Sequence, residues 1–173
     1  MKTVFITSVA GSGKSTVCKA LIKLGCEAYD LESIPGLFSL VDPDTNEPLK
    51  GKTLGDLGEN LDADWVCDIK KLKSLIANQK NDVAFYCGAT SRTKELMKQF
   101  DSTVVLQVSD ETTRKRLSTR LEGEFGNSKD TREWILSWKH VAEANWMAAG
   151  AIGVSAEAGP DSIARDIVRR YFK

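Results

Sequence analysis

Apolar residues recur along this chain in two rhythms. Short β-favouring runs occupy Val4-Phe5-Ile6, Cys26 to Leu31, Asp82 to Cys87, Thr103 to Val108 and Ala151 to Ser155. Between them, apolar residues return at helical spacing. Val17, Ala20, Leu21 and Leu24 form one such face, and Leu61, Trp65, Ile69, Leu72 and Ile76 a second. Thr113, Leu117 and Leu121 form a third, and Trp134, Ile135, Trp138, Val141, Ala142 and Trp146 a fourth. Ile163, Ile167, Val168 and Tyr171 close the series. Five strands alternating with helices predict an α/β domain with a parallel sheet. Gly25 reads as a helix C-cap, and Asp130-Thr131-Arg132-Glu133 reads as a capping box opening a helix. The tryptophans of the fourth face read as core. Trp65 also reads as core, with stacking on a planar ligand as the alternative.

One segment breaks the rhythm. Residues 33–60 hold three of the four prolines and several turn formers, so they form an insertion between the second strand and the next helix. It is a candidate acceptor-binding region, with a solvated acidic loop as the alternative.

The first strand runs into Ser8-Val9-Ala10-Gly11-Ser12-Gly13-Lys14-Ser15-Thr16, and a helix follows. Strand, glycine turn and helix start in this order suit a phosphate-binding loop over Ala10 to Thr16. Gly11 and Gly13 let backbone N–H groups converge, and the helix start adds a positive dipole end. Lys14 can reach the β- and γ-phosphates, and the Ser15 hydroxyl can ligate Mg²⁺. The pattern G-x-x-x-x-G-K-[ST] departs at its first glycine, where Ser8 stands. That matters only if the position needs positive φ.

Other candidate groups follow from this loop. Asp30 and Glu32 end the second strand at period two, on one side if the chain stays extended. Strand carboxyl ends border the ligand crevice of a parallel sheet, so Asp30 can orient Mg²⁺ waters or take a proton from an attacking hydroxyl, with helix capping as its alternative. The third strand ends in Cys87 rather than the aspartate that often holds Mg²⁺. After it, Arg92 offers a fork for phosphate or carboxylate, or simply begins a helix at the surface. Arg116 and Arg120 are four apart on one helix face. Gly123 and Gly126 lie beyond them, so 122–131 suits a lid closing over phosphates.

Composition narrows the class. The 173 residues fit one domain, and 24 basic residues balance 24 acidic ones. No global field attracts nucleic acid or an anionic membrane. No apolar run approaches a membrane span or a secretory leader, and four scattered cysteines suit reduced thiols, so a cytoplasmic location is expected. With His140 the sole histidine, a histidine-rich metal site is excluded.

The order of parts resembles the small P-loop kinases, the group that includes adenylate, shikimate and gluconate kinases. The phosphate loop, the carboxylates after the second strand, the R-x-x-x-R of Arg116 and Arg120 before a lid, and the loop after the last strand carry the likeness. It implies a three-layer fold with five parallel strands in the order 2-3-1-4-5 and helices on both faces. It further implies Arg116 against the adenine of ATP, Arg120 on the transferring phosphate and the loop near Ala156 beside the base. Asp30 falls where shikimate-type kinases keep an acceptor-side carboxylate, and Arg92 near an acceptor-binding arginine of nucleotide kinases. The D-G-x-P-R and glycine-triplet motifs of adenylate and shikimate kinases are absent, as are the N-K-x-D of GTPases and the L-S-G-G-Q of transporters. The expected activity is transfer of the γ-phosphate of Mg-ATP, catalysed by Lys14, Asp30 and Arg120, to a small acceptor held by Asp30, Glu32 and Arg92. A nucleoside, a nucleotide or a shikimate- or gluconate-like metabolite would serve. A regulatory protein or slow ATPase without an acceptor is the alternative.

Overall fold

Five parallel strands form the central sheet of the computed structural model, which describes residues 1–58 and 60–172. They are β1 (Lys2–Thr7), β2 (Glu27–Asp30), β5 (Val83–Cys87), β6 (Ser102–Gln107) and β7 (Ile152–Ser155), in the order β2-β5-β1-β6-β7. Strands β3 (Phe38–Val41) and β4 (Asp64–Cys67) pair antiparallel in a separate small sheet. Counting only the parallel strands, this is the expected 2-3-1-4-5 order.

The sheet is covered on both faces, which is why the middle residues of its central strands are apolar on both sides. Side chains of one parity (Val4, Ile6, Phe85, Val104, Leu106) pack beneath helices α1 (Lys14–Lys23) and α6 (Pro160–Tyr171). Those of the other parity (Phe5, Tyr86, Val105) meet α2 (Ile69–Ala77), α3 (Thr93–Met97), α4 (Asp110–Ser118) and α5 (Lys129–Ala148). Phe5, Tyr86 and Phe85 are fully buried, and each such side chain contributes about 1.5–3 kcal/mol by leaving water.

Three local expectations are corrected. The helix expected from Leu61 begins only at Ile69. Residues 64–67 instead pair with 38–41, Leu40 opposite Trp65, and Asp68 caps α2 by accepting from Lys71 N–H at 3.1 Å. Leu61 and Trp65 match the helical period by coincidence, while the aromatic and β-branched Trp65-Val66 suits a strand. Leu121 is 75% exposed, because α4 stops at Ser118 and the helical spacing stops with it. Helix α5 is capped by Ser128, whose Oγ accepts from Thr131 N–H, and Asp130 lies inside the first turn, where its charge complements the helix dipole.

Helix α4 is anchored by a group with no sequence signal. The Lys139 side chain of α5 is 1% exposed; its Nζ donates to Val108 O at 2.6 Å and to Asp110 Oδ1 at 2.9 Å. This ties the β6–α4 junction to α5. The hydrogen bond from Lys139 holds the Asp110 carboxyl below its usual range. A carboxyl with a depressed folded pKa stabilises the fold at neutral pH and loses that contribution as pH falls through the ordinary carboxylate range. Lys139→Met is expected to cost about 1–3 kcal/mol in denaturant unfolding at neutral pH, by leaving a buried carbonyl unpaired. Asp110→Asn should also destabilise, and its gap from the parent protein should narrow as pH falls from 5 toward 3.

Candidate phosphate-loop site

The loop between β1 and α1 owes its shape to two left-handed glycines, Gly11 at φ 84° and Gly13 at φ 94°. A Cβ on Gly11 would lie 3.0 Å from Leu117 Cγ and 3.2 Å from Thr113 O, so the loop rests directly on α4. Ser8 needs no such freedom, since Asn46 is the one positive-φ non-glycine residue among those described. Its buried hydroxyl instead pairs with Ser12 Oγ across the loop. Helix α1 starts at Lys14 with Gly13 as N-cap and no side-chain cap. Its first-turn N–H groups therefore remain available to an anion.

The Lys14 ammonium folds back toward Ser8 O at 3.4 Å and Val9 O at 3.5 Å. Burial pushes its pKa down. Glu32 and Asp30 oppose that shift, and Arg120 adds to it. Two acidic groups thus sit within electrostatic reach of the loop lysine, as their position after β2 predicts.

Two cavities meet at this loop. A larger one of about 800 Å³ is lined by Lys14, Ser15, Glu32, Trp65, Arg92 and Trp138, among others. A smaller one of about 360 Å³ is lined by Ser12, Val17, Arg116, Ala158, Pro160 and Ile163. Gly11, Gly13, Thr16 and Arg120 line both.

The two arginines differ. Arg116 Nη1 donates to Ser12 O at 2.8 Å and Nη2 to Ala156 O at 3.2 Å, which joins the phosphate loop to the loop after β7. Ala156 is fully buried, and Ala158 and Pro160 form the cavity wall beyond it. Arg120 lies past the end of α4, not on its face, because Thr119 already caps the helix. Its guanidinium donates to Phe125 O. Burial lowers its pKa, against the pull of Glu124 and Glu32.

The backbone does not stay extended after β2. Leu31–Ser33 form a 3₁₀ turn, so Asp30 and Glu32 do not share one side of an extended strand, and Asp30 lines neither cavity. The Asp30 side chain makes no cap hydrogen bond, and the cap reading for it is not observed. Glu32 lines the larger cavity, and its Oε1 accepts from Ala89 N–H at 2.9 Å. Arg92 also lines it, with Nε paired to Asp64 Oδ2 at 2.8 Å.

Sequence reasoning missed most of the cavity wall. Trp134, Trp138 and Trp146 border open space as well as core, and Trp65 joins them from β4. Their helical spacing shows a shared face but not whether side chains or a ligand cover it. The 33–60 insertion supplies Leu54 and Leu57. A Cβ on Gly55 would fall 2.1 Å from Gly123 O, and one on Gly58 3.3 Å from Thr131 Oγ1. The insertion and the 122–131 segment therefore meet backbone to backbone.

A family model described as an AAA domain matches residues 4–134. Among solved structures, the chain is similar to a shikimate kinase from Acinetobacter baumannii in complex with shikimate. The TM-score there is 0.62 at 15% identity, covering 100% of this chain and 96% of that one. TT1252 from Thermus thermophilus gives 0.61 at 17% identity, covering 99% and 98%. A deoxyadenosine kinase from M. mycoides with bound dATP gives 0.53 at 16%, covering 100% of both chains. A comparison with curated protein sequences finds no significant match. The fold is that of the small P-loop kinases.

Gly11→Ala is expected to destabilise the protein by about 1–3 kcal/mol through left-handed strain, and to weaken triphosphate binding by displacing the loop from α4. Ser8→Gly should leave the fold intact. Thermal melts with and without nucleotide read both effects.

Proposed function

This chain belongs to the AAA-domain family, and on that premise we propose that it is a kinase moving the γ-phosphoryl group of Mg-ATP to a small acceptor. The observation that carries this reading is the pair of cavities sharing Gly11, Gly13, Thr16 and Arg120. A loop that only hydrolysed its nucleotide would need one ligand space beside the phosphates, whereas transfer needs two. ATP would enter the smaller cavity with its base near Arg116, Ala156 and Pro160, and its phosphates over residues 10–16. The acceptor would enter the larger one.

In the transfer itself, an acceptor oxygen bonds to the γ-phosphorus while the bond to the β–γ bridging oxygen breaks and ADP leaves. Lys14, the loop N–H groups and Arg120 stabilise charge on the transferring group. Asp30 or Glu32 receives the acceptor's proton. Both are near Lys14, and Glu32 lies in the wall. The Ser15 hydroxyl, exposed at the cavity margin, fits Mg²⁺ as the single protein ligand beside phosphate oxygens and water. No cluster of three carboxylate, histidine or cysteine ligands exists among the described residues. The ion would supply charge neutralisation at the phosphates. The Gly55–Gly123 contact supports 122–131 acting as a lid with the insertion, and closure would exclude water as a competing acceptor. No helix among the described residues is long and apolar enough to cross a membrane.

A second reading, a nucleotide-binding regulator or slow ATPase, draws on Cys87 ending β5 where a metal-orienting carboxylate often stands. Acceptor-stimulated ADP release separates the two. A coupled assay across nucleosides, nucleotides and polyol acids should show stimulation that Lys14→Ala lowers by about 10²–10³-fold. Stimulation by no acceptor, or full activity in Lys14→Ala, sinks the kinase reading. Asp30→Asn should lower turnover far more than ATP affinity; equal effects on both would assign Asp30 a structural role.

A further inference from the structure

The chain has four tryptophans, and all four line the cavity that contains Lys14. They come from two separate elements, Trp65 from β4 and Trp134, Trp138 and Trp146 from α5. Tryptophan is the largest apolar side chain, and a fold that needs it only for packing can place it anywhere in either half of the core. Neither the strand pairing nor the burial of the sheet requires this concentration in one wall.

Several of these rings are held before any ligand arrives. Trp65 stacks on Phe38 with centroids 5.4 Å apart and planes 24° apart. Trp134 is braced edge-on by Phe125 at 6.3 Å and by Trp138 at 5.7 Å. A braced ring loses little rotamer freedom on binding, which favours a rigid, flat ligand. Along α5 the lining residues 134, 138, 142 and 146 are spaced by four, so they share one face. Position 142, between Trp138 and Trp146 on this face, is alanine, so the lining is shallow there, and Asn145 adds a polar edge beside it.

Two charged groups of this wall already have partners, while Lys94, Glu95 and Asn145 also line it. Arg92 is paired with Asp64, and Glu32 accepts from Ala89 N–H. A polyol or carbocyclic acid carries a polar group on nearly every carbon, and each buried hydroxyl without a partner costs stability. The tryptophans of the wall offer two, the buried and unpaired indole N–H groups of Trp65 and Trp138. A flat ring with polar groups confined to its edge fits them better.

We infer that the acceptor is an alcohol borne by a planar aromatic or heteroaromatic ring system, of the nucleoside class, with its ring held against the Trp65 and α5 tryptophans. This rests on the kinase reading for the transfer step but predicts binding in its own right. Because every tryptophan lies in the wall, intrinsic fluorescence reports directly on acceptor binding.

The test uses the whole chain, titrated with adenosine, guanosine, cytidine and thymidine and separately with shikimate and gluconate. Excitation is at the red edge of tryptophan absorption, and ADP release is followed in parallel. At least one nucleoside should change the fluorescence saturably. Ala142→Leu, which fills the shallow part of the lining without removing a core side chain, should raise that Kd about tenfold or more. Trp138→Phe, which keeps a ring, should raise it less. Displacement of a fluorescent ATP analogue should be the same in all three proteins. Saturable binding of shikimate or gluconate at least as tight as that of every nucleoside overturns the inference, as does saturable binding of none of the six. Polyol-stimulated, Lys14-dependent ADP release would overturn it while leaving the kinase reading intact. Nucleoside binding without any Lys14-dependent turnover would overturn the kinase reading and leave the ring-binding wall standing.

Discussion

The contact between Gly11 and helix α4 is the constraint from which the rest of the site follows. With no Cβ, Gly11 brings the phosphate loop onto Leu117 and the Thr113 carbonyl. That sets the loop against Arg116, which spans Ser12 O and Ala156 O, and close to Arg120. Helix α4 holds this position because Lys139 ties its first residue to α5. Helix α5 in turn carries three of the four tryptophans of the larger cavity. A single close approach thus links the loop, two arginines and the tryptophan wall.

What was legible in the sequence was local. The strand–glycine–helix succession at residues 4–17 needs no distant partner to be read, and the structure has it as expected. The Arg116–Arg120 spacing put both arginines on one helix face, but the helix ends before Arg120; Arg116 bonds the loop at Ser12 O and Arg120 bonds Phe125 O. The β3–β4 hairpin was not legible, because its strands lie more than twenty residues apart in an irregular segment and Trp65 happened to match a helical period. The tryptophan wall was not legible for a different reason. Periodicity reports which side chains share a face and is silent on what covers it. Lys139 is the extreme case: a lysine in sequence reads as surface, and only its two buried partners reveal an anchor.

Charge placement within the larger cavity follows from the turn after β2. Once Leu31–Ser33 leave the extended path, Glu32 reaches the wall and Asp30 remains close enough to Lys14 to oppose the downward shift of its pKa. Both carboxylates favour the charged lysine, Glu32 more than Asp30, and only Glu32 lines the larger cavity. Arg92 is drawn into the β4 strand through Asp64, so it supports the wall that holds Trp65. The two glycine-bearing segments at Gly55 and Gly123 touch through backbone atoms, so a side chain at position 55 would push them apart.

On the proposed kinase reading, the loop stands between a donor and an acceptor and passes phosphoryl from one to the other. The most direct measurement follows the label from γ-labelled ATP in the presence of an acceptor that the cavity binds. The account predicts label in a phosphorylated acceptor, with little inorganic phosphate, and loss of both in Lys14→Ala. Label appearing solely as inorganic phosphate, with every bound acceptor recovered unmodified, would contradict it.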